Sequence, residues 1–87
     1  MADYKLLIKP SAGKELEAVG GKADRLRIVK RIQALAEDPR PPGSEKLAGY
    51  DHRYRVRQGN YRVVYLIDDK RKEITIYRVG HRRDVYR

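Results

Sequence analysis

Residues 53–65, Arg53-Tyr54-Arg55-Val56-Arg57-Gln58-Gly59-Asn60-Tyr61-Arg62-Val63-Val64-Tyr65, hold two β-type runs on either side of Gln58-Gly59-Asn60. That connection has hairpin length and a glycine able to take a positive φ. The side-chain period of two puts Arg53, Arg55 and Arg57 on one face of the first run, and Tyr54 and Val56 on the other. Arg62 follows near the start of the partner strand. Four guanidinium groups on one hairpin repel one another and cannot form an apolar core. Two readings fit this stretch alone: a solvated charged strand, or a face that holds anions, since arginine binds phosphate oxygens bidentately. A second basic cluster, Gly80-His81-Arg82-Arg83-Asp84-Val85-Tyr86-Arg87, lies past the next strand. Pairing of strands in sequence order would return it beside the arginine face.

Working outward, the C-terminal half reads as a β-meander over residues 52–57, 61–68 and 73–79, with Asp68-Asp69-Lys70-Arg71-Lys72 as its second turn. On the middle strand Tyr61, Val63, Tyr65 and Ile67 share one face, while Arg62, Val64 and Leu66 share the other. Apolar residues on both faces predict a central strand. Upstream, Tyr4-Lys5-Leu6-Leu7-Ile8-Lys9 reads as a short buried strand ended by Pro10. Ser11 is the expected N-cap of a first helix through Val19, and Gly20-Gly21 breaks it. The second helix is expected over residues 22–37, with Leu26, Val29, Ile32, Leu35 and Ala36 inward and Arg25, Arg27, Lys30 and Arg31 solvated. Asp38-Pro39-Arg40-Pro41-Pro42-Gly43 then stops helix formation. The expected fold is α+β: a small, mostly antiparallel sheet in the order β-α-α-β-β-β, two N-terminal helices on one face, and the first strand at or near an edge.

Composition narrows the function. The 87 residues make one domain, residues 1–87, and its net charge is +9. The excess is uneven: residues 51–87 hold eleven basic and five acidic side chains, net +6, against net +3 for residues 1–50. A focused basic excess suggests a polyanion, with nucleic acid ahead of a membrane surface. There is no cysteine, which excludes disulfides and thiolate metal sites. No run is long and apolar enough to span a bilayer, and the N-terminus lacks the order of a signal peptide, so a cytoplasmic protein is expected.

No Ser/His/Asp or Cys/His nucleophile set is present, and two histidines without clustered carboxylates give no metal site; no cofactor is expected. RNA cleavage needs less. The ribose 2′-OH is an internal nucleophile, so a protein must align it, stabilise the phosphate and move protons. Arginines suit the charge, and His81, Arg82 and Tyr86 offer further groups.

Leu47-x-Gly49, the strand of alternating basic residues, Tyr61-Arg62-Val63-Val64-Tyr65, the acidic turn and Val79-Gly80-His81-Arg82-Arg83-Asp84-Val85-Tyr86 resemble the RelE family of toxin–antitoxin toxins. The resemblance extends over essentially the whole chain. It implies a metal-independent endoribonuclease that cuts mRNA in the ribosomal A site and is neutralised by a cognate antitoxin. By position, the two strand lysines of the family fall on Arg53 and Arg55, its phosphate-holding arginine on Arg62, the arginine after the terminal glycine on Arg82, and the terminal tyrosine on Tyr86. Arg57, Arg83 and Arg87 extend the expected RNA-binding surface. Two departures stand out. Arginine, with a pKa above about 12, does not act as a general base, which shifts that role to His81, His52 or Tyr86. The C-terminal helix of some members also has no counterpart before Arg87. The alternatives are a gyrase-binding toxin of the ParE type without nuclease activity, and a non-catalytic basic nucleic-acid-binding module.

Overall fold

Proline at a helix start loses nothing, because the first amide hydrogens of a helix have no intrahelical partner. The first helix accordingly opens on Pro10, with Lys9 as an N-cap that makes no side-chain hydrogen bond. Ser11 therefore lies inside the first turn rather than capping it. The computed structural model describes residues 3–49 and 51–81. Its elements are β1 (Lys5–Ile8), α1 (Pro10–Glu17), α2 (Lys22–Leu35), β2 (Glu45–Lys46), β3 (Arg53–Gln58), β4 (Tyr61–Asp68) and β5 (Glu73–His81). Gly21, at φ 98°, stands at the start of α2 rather than at the end of α1. No helix of the described residues is long and apolar enough to cross a membrane.

The strands form one sheet in the order β1-β5-β4-β3-β2. β1 runs parallel to β5, and the other neighbours are antiparallel. This is the expected α+β fold with an added two-residue edge strand, β2. Gly59, at φ 60°, and Asn60 turn the β3–β4 hairpin, so that Arg57 pairs with Arg62 and Val56 with Val63. β1 is an edge strand, as expected, but it is not buried: Leu7 is 36% and Ile8 48% exposed. An edge strand has a neighbour on one side only, and apolar composition alone does not reveal that.

One core joins the helices to a single face of the sheet. Ala12, Val19, Ile28, Ile32 and Leu35 pack with Val56, Val63, Tyr65, Ile67, Ile74, Ile76 and Val79. The inward stripe of α2 is thus Ile28-Ile32-Leu35, and Leu26 is 51% exposed. Residues 26 and 28 lie about 200° apart on a helix, so only one of them can face the sheet. We expect Ile28→Ala to cost about 2–5 kcal/mol. Leu26→Ala should stay within about 0.5 kcal/mol. Chemical denaturation of both variants checks the orientation of α2, and equal losses would reject it.

Two polar ties fix the ends of the sheet. Tyr65 is fully buried, its hydroxyl donates to the Pro39 carbonyl at 2.7 Å, and burial pushes its pKa up to about 12. Arg40 in the same loop donates to Asp69 at 2.9 Å and to the Tyr54 hydroxyl at 3.2 Å, while the Tyr4 hydroxyl donates to Asp69 at 2.7 Å. The start of the chain, the loop after α2 and the β4–β5 turn are thereby joined. Beyond the end of β1 the edge of β5 is open, and there Glu15 of α1 accepts from the Val79 amide at 3.0 Å and from Arg78 at 3.3 Å.

Candidate active site

The sheet face away from the helices is assembled by register. Residues opposite one another on neighbouring strands share a face. Arg57–Arg62–Gly80 make one row and Arg55–Val64–Arg78 the next. Further along come Arg53, Leu66, Thr75 and Leu7. The hairpin end of this face is strongly cationic. Arg55, Arg57 and Arg62 line a cavity of about 380 Å³ together with Arg31, Glu45 and Gly43. Arg62 is only 8% exposed, and its Nη1 donates to the Tyr61 carbonyl at 3.3 Å. The Glu45 carboxylate of the same cavity also feels the charges of Arg57 and Arg62. Glu45 pairs with Arg55 at 2.7 Å, and that hydrogen bond and charge hold its carboxyl below the usual range.

At the opposite end of the sheet the charges are mixed, with Lys70 beside the carboxylates and Arg40 paired to Asp69. A hollow of about 630 Å³ there is lined by Asp68, Asp69 and Glu73, with His52, Leu66 and Thr75 among its other walls. His52 is therefore set apart from Arg57 and Arg62. No group of three or more metal-ligating side chains occurs among the described residues.

Between β4 and β5 the register slips from Val64–Arg78 to Tyr65–Ile76, leaving Tyr77 as an extra residue on β5. Such bulges re-aim side chains and are over-represented near active sites. Tyr77 here meets Arg53, whose guanidinium carbon lies 4.4 Å from the ring centroid, and Lys9, whose Nζ lies 4.0 Å from it. Lys9 follows β1 and Arg53 belongs to β3, so the two cations reach β5 from opposite sides of the sheet. The hydrogen bond and charge of Lys9, then the charge of Arg53, hold the Tyr77 hydroxyl below the ordinary tyrosine range. The ring is thus flanked by two cations.

The structure thus brings Arg53, Arg55, Arg57 and Arg62 onto one face. His81 pairs with Tyr61 and meets that ring edge-on at 5.9 Å, on the helix side of the sheet and across from the arginine face. Arg82, Arg83, Tyr86 and Arg87 lie outside the described residues. Two residues beside these arginines were not singled out from sequence. Arg31 was read as solvated; a helix pattern gives no sign that the loop through Gly43 folds against it. Tyr77 falls in the expected last strand of the meander, and strand alternation gives no sign that Lys9 and Arg53 flank its ring.

The chain matches the family model of ParE toxins of type II toxin–antitoxin systems (parDE) over residues 6–86. Toxin RelG of Mycobacterium tuberculosis is 44% identical over 46 residues, 53% of this chain and 49% of that protein, so the match spans about half the length of this curated relative. A chain of the archaeal RelE–RelB complex from Pyrococcus horikoshii is 30% identical, with a TM-score of 0.82 over 95% of this chain and 99% of that one. A chain of the intact E. coli RelBE toxin–antitoxin complex is 28% identical, with a TM-score of 0.78 over 90% of this chain and 95% of that one. With a family match over nearly all its length and the fold of those RelE complexes, this chain belongs to the ParE toxin family of type II toxin–antitoxin systems and is a RelE-type toxin of that superfamily.

Proposed function

We propose that the chain is a ribosome-dependent mRNA endoribonuclease that inhibits translation by cutting in the A site. The observation that carries this reading is the arginine-lined face with the buried Arg62 among its residues. In the reaction the 2′-oxygen bonds to the adjacent phosphorus and the bond from phosphorus to the 5′-oxygen breaks. The products are a 2′,3′-cyclic phosphate and a 5′-hydroxyl. Arg62 and Arg55 stabilise the charge on the phosphate, and Arg53 helps to hold it. The Tyr77 hydroxyl, as phenolate, takes the 2′-OH proton. Arg82 stabilises the leaving oxygen, which takes its proton from water, and Tyr86 stacks on a base. Arg57, Arg83 and Arg87 hold the RNA backbone, and His81, which lies on the helix side of the sheet, takes no part in the reaction.

The ribosome supplies the rest. Holding the 2′-OH in line with the leaving oxygen accounts for about 7–11 kcal/mol of such a barrier, so a weak base suffices when the strand is held. Ribosome-bound mRNA is expected to be cut inside A-site codons and free RNA poorly. Mapping mRNA ends on stalled ribosomes tests this, and equal cutting of free and bound RNA would reject it. A ParE-type toxin that binds gyrase is the second reading, favoured by the family model that the chain matches. Supercoiling defects with intact mRNA would support it. In either case the partner that neutralises the toxin is a cognate antitoxin, as in the RelE–RelB complexes of the relatives, and the protein acts in the cytoplasm.

A further inference from the structure

The cavity at the hairpin end holds more positive charge than the cutting of one phosphate calls for. Glu45 is its one carboxylate, and Arg55 occupies it at 2.7 Å. Among the described residues Arg57 and Arg31 make no ion pair, and the buried Nε of Arg31 has no hydrogen-bond partner. A buried donor left unmade opposes folding, and so does the repulsion among like charges. The guanidinium groups of Arg31, Arg57 and Arg62 that line the cavity are the charges a ligand there can reach. The position of Arg31 matters as much as its charge. Arg62 on β4 has Gly80 of β5 on one side and Arg57 of β3 on the other, and α2 packs against β3. A strand of RNA held at Arg62 and running toward β3 meets Arg57 and Arg31 next.

We propose that Arg31 and Arg57 form a second phosphate seat, which takes a phosphodiester neighbouring the one held at Arg62. The nuclease reading enters only through the identity of the polyanion. Phosphate fits better than a protein carboxylate, because the guanidinium fork matches its oxygens bidentately and several cations remain after Glu45 is paired. The seat sets where the strand lies, so Arg31 is a binding residue and not a catalytic one.

The test is equilibrium binding of a 2′-O-methyl oligoribonucleotide, which has no free 2′-OH and cannot be cut, to the purified chain over a series of salt concentrations. Each phosphate contact on a single strand contributes about 0.7 to the slope of log K against log salt. Arg31→Gln is expected to lower the slope by about that amount while its melting temperature equals or exceeds that of the wild type. Arg31→Lys keeps the charge without the fork, and should retain the slope with weaker binding. An unchanged slope in Arg31→Gln overturns the seat. So does a variant that binds the oligonucleotide normally and loses affinity for the antitoxin, which would assign the cavity to an acidic protein segment. A slope that depends on Arg31, in a protein that leaves ribosomal mRNA intact, keeps the seat and removes the nuclease reading alone.

Discussion

Tyr77→Phe is expected to slow cleavage of ribosome-bound mRNA by about 10²–10⁴-fold, the usual contribution of a positioned proton acceptor. It should leave the melting temperature near that of the wild type. The substitution keeps the ring between Lys9 and Arg53, so it removes the hydroxyl and little else. The sign of the pH dependence follows from the direction of the shift. A base must be deprotonated, so the wild-type rate rises with pH through the ionisation of Tyr77, below the ordinary value of about 10. Lys9 is the first cause of the lowered value, and Lys9→Gln should therefore move the rise to higher pH. Tyr77→Phe should abolish the rise. Phenolate absorbance gives a readout that needs no ribosome: subtracting the titration of Tyr77→Phe from that of the wild type should leave one tyrosine that ionises early. A normal rate and an unchanged pH profile in Tyr77→Phe would remove the residue from the mechanism.

The second large effect belongs to Arg62. Replacing it by glutamine should lower the cleavage rate by about 10²–10³, the loss typical of one preorganised charge donor. Because the side chain is almost wholly buried and faces Arg57 across the hairpin, its removal also relieves repulsion. Thermal stability should hold or rise. Arg62→Lys keeps the charge and gives up the two-pronged geometry, and should fall between. A glutamine variant that unfolds at much lower temperature would mean that Arg62 serves the fold rather than the phosphate.

Much of the architecture can be read from the chain because it depends on parity and period. The β3–β4 hairpin, its arginine face and the apolar partners Val56 and Val63 follow from alternation about Gly59. The limits of α2 are nearly those expected, yet its rotation is not: Leu26 and Ile28 are equally apolar, and only the sheet decides between them. Parity also fails where the count is broken. The bulge at Tyr77 shifts every later residue of β5 by one, which sends His81 to the helix side. Arg31 was hidden for another reason. Its partners come from a loop and a hairpin distant in sequence, and a charged residue on an amphipathic helix reads as solvated until those segments are in place.

The position of β5 has a consequence in time. It is the latest of the described strands, and it is inserted between β1 and β4. Among these strands β1 has no other partner, so the first strand to be synthesised waits for the last. Pairings so remote in sequence form late, because a long stretch of chain must close before any contact is gained. Until β5 emerges, the nascent chain therefore holds two helices and the β3–β4 hairpin with its β4 flank open. Tyr77 and Gly80 arrive only with β5, and the cationic face is incomplete until then. The cationic surface is thus assembled only once β5 has paired with both β1 and β4.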